Sequence, residues 1–371
     1  MSVATPLRTQ CRIERVDVSA YRVPTEGGPE SDGTARWEAT TMVLVEIHGG
    51  GETGIGYTYA DEATAYVVRN EFRQLLEGSD ALETGRRFAE MQTKIRNLGR
   101  GGIAAMAISA VDIALWDLKG KLFGAPVCAL LGAARDSVPV YGSGGFTSYS
   151  VQRLSEQLRS WVDGGIPRVK MKVGRDPSSD ATRVASARRA IGDAAQLFVD
   201  ANGAYSCKQA LQFADEFAAC GVSWFEEPVY HHDLEGLHRV RERAPSGMDV
   251  AAGEYCYAGY DFWQMLRAES VDCLQADATR CGGFSGLLAA DGLCQAAMMP
   301  LSTHCAPHAV LHGAIACKML RHVEYFYDHV RIERMFFEGA GEPIDGRLAP
   351  DLTRPGIGLQ LRHADAEPYR L

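Results

Sequence analysis

The chain has 371 residues, 46% of them hydrophobic and 23% charged, with a formal net charge of −9. That length exceeds what one core usually supports, so two domains are expected. The acidic balance argues against nucleic acid, which asks for a basic face. No apolar run is long enough to span a bilayer, and the first residues, MSVATPLRTQCRIER, lack the apolar core of a secretory leader. Ten scattered cysteines without a C-x-x-C pair fit reduced, cytoplasmic thiols better than a disulfide framework or a zinc site.

In chain order, residues 12–21 and 41–47 alternate as strands do. Between them, 24–39 is rich in Gly, Glu and Ser with a lone Trp37, too long for a tight turn and read as a lid or an insert. Residues 56–62 (GYTYADE) read as a second loop, and 63–77, 82–98 and 104–122 as helices. This is an α+β module. After a connector at 126–133, residues 138–142 open a series of strands and helices. Helices are expected at 179–191, 206–219, 234–244, 260–268, 284–298 and 309–320. The last forty or so residues, rich in Gly and Pro, look like a tail that returns to the first module.

Almost every strand of the series ends in an ionisable residue: Lys172, Asp200, Glu226, Glu254, Asp277, His304 and Glu324. The intervals are 28, 26, 28, 23, 27 and 20 residues, the length of a strand, a helix and two loops. Such units close into a barrel whose site lies at the C-terminal strand ends, so these groups are expected around one cavity. Asp200, Glu226 and Glu254 come from consecutive tips, and three carboxylates without a cation repel. All-oxygen ligation suits Mg²⁺ rather than zinc; the bland reading is that the acids form structural pairs with Arg or Lys.

Lys170 and Lys172 alternate on one strand and so share its inward face. Two adjacent ammonium groups depress one another, and a lysine lowered toward neutrality serves as a base. His304 lies almost across the ring, and Asp277 can fix its tautomer. His308 and His312 read as packing or surface residues. Glu324 can hydrogen-bond a substrate oxygen when protonated, or orient its neighbours when ionised. The set suggests removal of a proton from the carbon beside a metal-chelated carboxylate, with Lys170 neutralising that carboxylate and Lys172 or His304 as base.

The motifs Lys170-x-Lys172, Asp200-x-Asn202, Glu226-Glu227-Pro228, Gly253-Glu254, Asp277-x-x-Arg280 and Ser302-x-His304 together resemble the mandelate racemase subgroup of the enolase superfamily (mandelate racemase/muconate lactonizing enzyme-like proteins). The resemblance covers nearly the whole chain. It implies an α/β fold: a modified TIM barrel, (β/α)7β, with an N-terminal α+β capping domain. The expected division is a capping domain at 1–133 with lid loops 24–39 and 56–62, a barrel at 134–330, and a returning tail at 331–371. It further implies Asp200, Glu226 and Glu254 as Mg²⁺ ligands, with Asn202 and Glu227 behind them. Lys172 and His304–Asp277 are implied as acid and base on opposite faces, with Lys170 and Glu324 on the substrate. Arg280, Ser143, Trp37 and Tyr57 are expected to touch substrate or support the ligands.

The subgroup does not share one reaction. The polar character of the 24–39 segment favours dehydration of an aldonic or aldaric acid to a 2-keto-3-deoxy acid. The rivals are a racemase, epimerase or cycloisomerase using the same residues, and, from another class, a barrel that binds metal and acid without turnover. Homo-oligomers are expected from the resemblance alone.

Overall fold

A computed structural model describes residues 10–371; the leader expectation above rests mostly on residues 1–9, which lie outside it. Strands β1 (Arg15–Pro24), β2 (Ala39–Gly49) and β3 (Glu52–Tyr59) form an antiparallel sheet in the order β1-β2-β3. The helix Ile103–Phe123 packs across it. It approaches closely because Gly54 and Gly56 present bare backbone. A Cβ on either would meet the carbonyl oxygen of Ala114 at 2.2 Å or of Ala110 at 2.1 Å.

That contact corrects the reading of 56–62 as a loop. Its first four residues belong to β3, and Gly56 marks a close approach rather than a turn. The 24–39 segment is ordered, with two short paired strands, Glu30–Ser31 and Arg36–Trp37. The expected helix at 63–77 is one continuous helical segment with a π-helical stretch at Val68–Phe72.

Eight parallel strands then close on themselves: β4 (Val138–Gly144), β5 (Arg168–Lys172), β6 (Gln196–Asp200), β7 (Val222–Glu226), β8 (Asp249–Ala252), β9 (Cys273–Ala276), β10 (Leu301–Thr303) and β11 (Leu320–Phe326), with β11 beside β4. A helix follows each of the first seven, as a parallel sheet requires. The helix Val151–Asp163, after β4, was missed in the sequence. The capping box at the helix Cys207–Ala218 shows how the turns are made: Ser206 Oγ accepts from Gln209 N, and the Gln209 side chain accepts from Ser206 N.

Outward side chains such as Val169, Val199, Phe225 and Val250 form the core beneath the helices. Inward ones change character with height. Tyr141, Phe198, Trp224 and Cys273 fill the interior as one apolar layer, and the ionisable residues stand at the strand tips. The helix Tyr327–Phe336 follows β11 and runs across residue 330. Bonds join residues 356–357 to the first module: Asp117 accepts from Ile357 N (2.7 Å) and Ile55 N (2.7 Å), and Val127 N donates to Gly356 O. Among the described residues no helix is long and apolar enough to cross a membrane.

Candidate active site

Strand alternation puts Lys170 and Lys172 on the inner face of β5, with Ser143 beside Lys170 in register on β4. Lys170 is fully buried. Its Nζ lies 2.5 Å from Glu226 Oε1, 2.7 Å from Glu324 Oε1 and 3.6 Å from Asp200 Oδ2. Lys172 Nζ donates to Asp200 Oδ2. The expectation of a lysine lowered toward neutrality needs correcting. Burial does work in that direction on both groups, but Glu226 and Glu324 hold Lys170 well above its ordinary value, and Asp200 does the same for Lys172. A buried ammonium surrounded by carboxylates keeps its proton, because neighbouring charge outweighs desolvation and lysine–lysine repulsion.

The carboxylates share a small volume. Oxygen atoms of Asp200, Glu226 and Glu254 all lie within 4.8 Å of one another, and all three residues are buried. Trp224 Nε1 donates to Glu226 Oε2 at 2.9 Å and aims that group. Burial, against the pull of Lys170, pushes the Glu226 carboxyl up to about 8. Glu254 lies just past β8 because Gly253 adopts φ 133°; a Cβ there would meet Gln275 O at 2.2 Å. Burial opposes its ionisation, but His304 and Arg280 more than compensate and hold it well below the usual range.

His304 stands opposite. Its Nδ1 donates to Asp277 Oδ2 at 2.7 Å, and its Nε2 lies 3.2 Å from Glu254 Oε2 and 3.8 Å from Glu324 Oε2. Asp277 is anchored by Thr279, whose N–H and hydroxyl both donate to Oδ1 at 2.7 Å. Burial disfavours the imidazolium, yet Cys305, Glu254 and Glu324 raise it well above the ordinary histidine value. Glu324 is pulled down, its burial outweighed by Lys170 and His304. It also accepts from Cys305 N at 2.9 Å. The ion pair with Lys170 and the bond from Cys305 N favour the ionised form of Glu324.

Around this ring, Asn202 N donates to Asp200 Oδ1 (2.9 Å), while its own Oδ1 is buried without a partner, as is Glu227 Oε1. Burial, then Glu254, Asp200 and Glu226, raise the Glu227 carboxyl well above its ordinary value. Both residues sit at positive φ, 47° and 38°, conformations held only where surroundings enforce them. Arg280 donates to the carbonyl and Oε1 of Glu254, both at 3.2 Å, and its Nε is 3.5 Å from Asp277. Ser143 Oγ is buried and unpartnered.

Of these groups, Lys172, Asn202, Glu254, Arg280 and His304 line a cavity of about 430 Å³ roofed by the capping domain, where Trp37 packs edge-on to Phe146. Tyr57 is not there. It is fully buried between the domains, donating to Glu333 Oε1 at 2.7 Å, because its position on β3 turns it into the interface. His308 is likewise internal, with Nδ1 2.6 Å from Glu333 and Nε2 donating to Gly341 O, and His312 Nδ1 accepts from Cys128 N. Both are packing residues, and neither is on the surface.

Sequence reasoning missed Cys305 (Sγ 3.3 Å from His304 Nε2), Tyr255 and His329, and held Asp32 and Asp61 only as members of the two lid loops; all five line the cavity. Cys305 follows a named motif and was within reach; the others depend on how two domains meet. A larger groove, about 890 Å³, lies between the capping sheet and the tail, but mixed acids and bases on an open face line it, with no buried carboxylate cluster.

The donor set fits a hard divalent ion. Three buried carboxylates converge with two further unpartnered buried oxygens nearby, which is oxygen ligation of the Mg²⁺ kind. A second convergent group, His304, Cys305 and Glu324, is already engaged with Asp277, Glu254 and Lys170.

The same layout recurs in known proteins. Residues 16–132 match the mandelate racemase/muconate lactonizing enzyme N-terminal domain, and 153–366 the enolase C-terminal domain-like family. The chain therefore belongs to the mandelate racemase/muconate lactonizing enzyme family of the enolase superfamily, a family of enzymes. It is 34% identical to a 3,6-anhydro-alpha-L-galactonate cycloisomerase of Streptomyces coelicolor, over 94% of this chain and 97% of that protein. It is 31% identical to the L-talarate/galactarate dehydratase of Salmonella typhimurium, over 96% and 91%. A solved structure of that dehydratase, liganded with Mg and L-lyxarohydroxamate, superposes with a TM-score of 0.90, covering 100% of this chain and 96% of that one at 28% identity. A mandelate racemase/muconate lactonizing enzyme-like protein from Rubrobacter xylanophilus superposes at 0.95, covering 97% and 100%, with 52% identity.

Proposed function

We propose that this enzyme removes the α-proton of a sugar acid in a Mg²⁺-dependent reaction and dehydrates it to a 2-keto-3-deoxy acid. The observation that carries this reading is the opposition of Lys172 and His304 across three clustered carboxylates. Asp200, Glu226 and Glu254 are the residues that would hold the ion. Bound there, it supplies positive charge that acidifies the carbon next to the substrate carboxylate.

The chain's own residues do the rest. Lys170, held in place by Glu324 at 2.7 Å, gives a fixed positive charge for the negative charge that develops as the C–H bond breaks. One of Lys172 and His304 takes the proton, and His304, oriented by Asp277, delivers a proton to the departing hydroxyl. A base as strongly held as Lys172 must first be relieved of its pairing with Asp200, which a cation on Asp200 would do. Asn202, Glu227 and Arg280 orient the ligands, and Ser143 and Trp37 face the substrate region.

In this reading residues 1–133 cap the site, 134–330 carry it and 331–371 secure the cap. The enzyme works in the cytoplasm as a homo-oligomer, with neither nucleic acid nor membrane as partner; the family resemblance, the acidic composition and the reduced-thiol pattern support that part. Cycloisomerisation is the second reading, favoured by the identity to the Streptomyces relative; it opens with the same proton removal. Incubating the Mg²⁺-loaded protein with a sugar-acid library in D₂O tests both. Formation of a 2-keto-3-deoxy acid is expected; deuterated isomers without loss of water would overturn dehydration.

A further inference from the structure

The cavity has two unlike ends. At the barrel end the lining cations are Lys172, Arg280 and His304, where one substrate carboxylate belongs. On the capping-domain side the charged residues lining the cavity are Asp32 and Asp61, with Thr41 and His329 adding neutral polar groups. Of these three, Arg280 has no proposed part in proton transfer, and its guanidinium is already shared between Glu254 and Asp277. Arg36 of the hairpin and Arg175, which donates to the Thr34 carbonyl at 3.3 Å, do not line the cavity.

Asp32 is held in place. Its Oδ1 accepts from the N–H groups of Thr34 and Ala35 at 2.6 Å each. The hairpin around it is docked on the barrel: Ser31 Oγ and Thr147 Oγ1 are 2.7 Å apart, and Thr147 N donates to Ser31 O at 2.8 Å. At its tip, Gly33 lies so close that a Cβ would meet Ala201 O at 2.3 Å and Val173 O at 2.8 Å. Asp61 is tied to the first turn of the following helix through Ala63 N at 2.9 Å. His329 Nδ1 accepts from Ala306 N at 3.2 Å, so its ring proton sits on Nε2 as a donor, and the ring stacks on Tyr59 with centroids 3.4 Å apart.

We infer that the capping-domain side of this cavity, bounded by Asp32, Asp61 and the His329 N–H, accepts a hydroxylated, uncharged substrate end, so that the substrates are aldonic monoacids rather than aldaric diacids. The inference rests on the sugar-acid reading above and narrows it. A second carboxylate would meet two fixed carboxylates and no free cation, whereas a terminal CH₂OH can donate to an aspartate and accept from His329.

The test is calorimetric binding of matched pairs to the Mg²⁺-loaded protein: D-galactonate against galactarate, and D-gluconate against D-glucarate. Each pair differs only in the oxidation state of C6. We expect the aldonate of at least one pair to bind at least ~10-fold more tightly. The gap should narrow as KCl is raised, since salt screens charge repulsion but not a steric clash. An Asp32→Asn, Asp61→Asn double variant should narrow it at low salt. Aldarates binding as tightly as their aldonates, or a gap indifferent to both salt and variant, would overturn the inference and leave the sugar-acid reading standing. Absence of binding by every member of both pairs would remove that reading, and the inference with it.

Discussion

Lys170 and Asp32 belong to two regions built on opposite terms. Lys170 lies inside the barrel on β5, fully buried, with three carboxylates within 3.6 Å. Asp32 sits on a short hairpin and is partly exposed; its side chain accepts from backbone and hydroxyl groups of its own turn, and Thr147 Oγ1 donates to its carbonyl at 2.9 Å. Barrel tips are positioned by eight hydrogen-bonded strands, so charges that would be ruinous singly are held in mutual compensation. The hairpin is positioned by a few bonds to Thr147 and by a glycine that tolerates contact. On the proposed function the difference divides the labour: proton chemistry would sit where geometry cannot relax, and selection of the substrate where residues can change without dismantling the barrel.

The largest expected effect comes from the rigid side. Lys172→Ala and His304→Asn should each lower turnover by roughly 10²–10⁴-fold, the usual worth of a positioned acid or base, while Mg²⁺ binding and the circular dichroism spectrum persist. Full activity in either variant would take that residue out of proton transfer. Next in size is metal affinity. Glu226→Gln should weaken Mg²⁺ binding more than Trp224→Phe, which only frees Glu226 Oε2 from the 2.9 Å indole bond and should cost about 10–100-fold. Isothermal titration with MgCl₂ separates the two, and equal affinities in both variants and the parent would remove Glu226 from the ligand set.

The hairpin side should respond in KM. Gly33→Val forces the hairpin off Ala201 and Val173, so KM should rise about 10-fold with kcat and thermal midpoint little changed. A fall in the midpoint with KM constant would mean that the hairpin serves stability instead. The smallest effect is a pH dependence. The Glu30 carboxyl is pushed up to about 9, by burial first and then by Asp328 beside it. Tyr149 donates to its Oε1 at 2.9 Å, and Arg153 packs on Tyr149. Thr40 and Arg331 bond Asp328, and Oε2 of Glu30 has no donor.

A raised carboxyl keeps its proton in the docked hairpin. Docking is therefore strongest below the ordinary carboxylate value of 4.5 and weakens as pH rises toward 9. KM in the parent should climb several-fold between about pH 7 and 9, by no more than roughly tenfold per unit. Glu30→Gln, which keeps a neutral group there, should flatten that rise. A parallel rise in both proteins would place the titration elsewhere.

Much of the barrel could be read directly from the chain. A polar residue at the end of each apolar run, repeating at the length of a strand–helix unit, already put Asp200, Glu226, Glu254 and His304 around one opening, and the structure brings them together. Strand alternation alone assigned Lys170 and Lys172 to one face. These features are local and periodic, so one chain carries them. What could not be read was anything set by distance across the fold. Gly56 looks like turn material until the helix Ile103–Phe123 is laid against it. Tyr57 passes for a lid residue until β3 turns it toward Glu333. The lysine pair seems mutually repelling until three carboxylates from other strands surround it.

The sequence by itself determined the period, the faces and the chemical identity of the ring, because backbone geometry repeats every two residues in a strand and every unit in a barrel. Only the tertiary structure decided which charges prevail in the ring and which residues roof it. Coulomb interactions and packing depend on separations of a few ångströms between segments hundreds of residues apart, as between Thr40 and Asp328, and no local pattern encodes them.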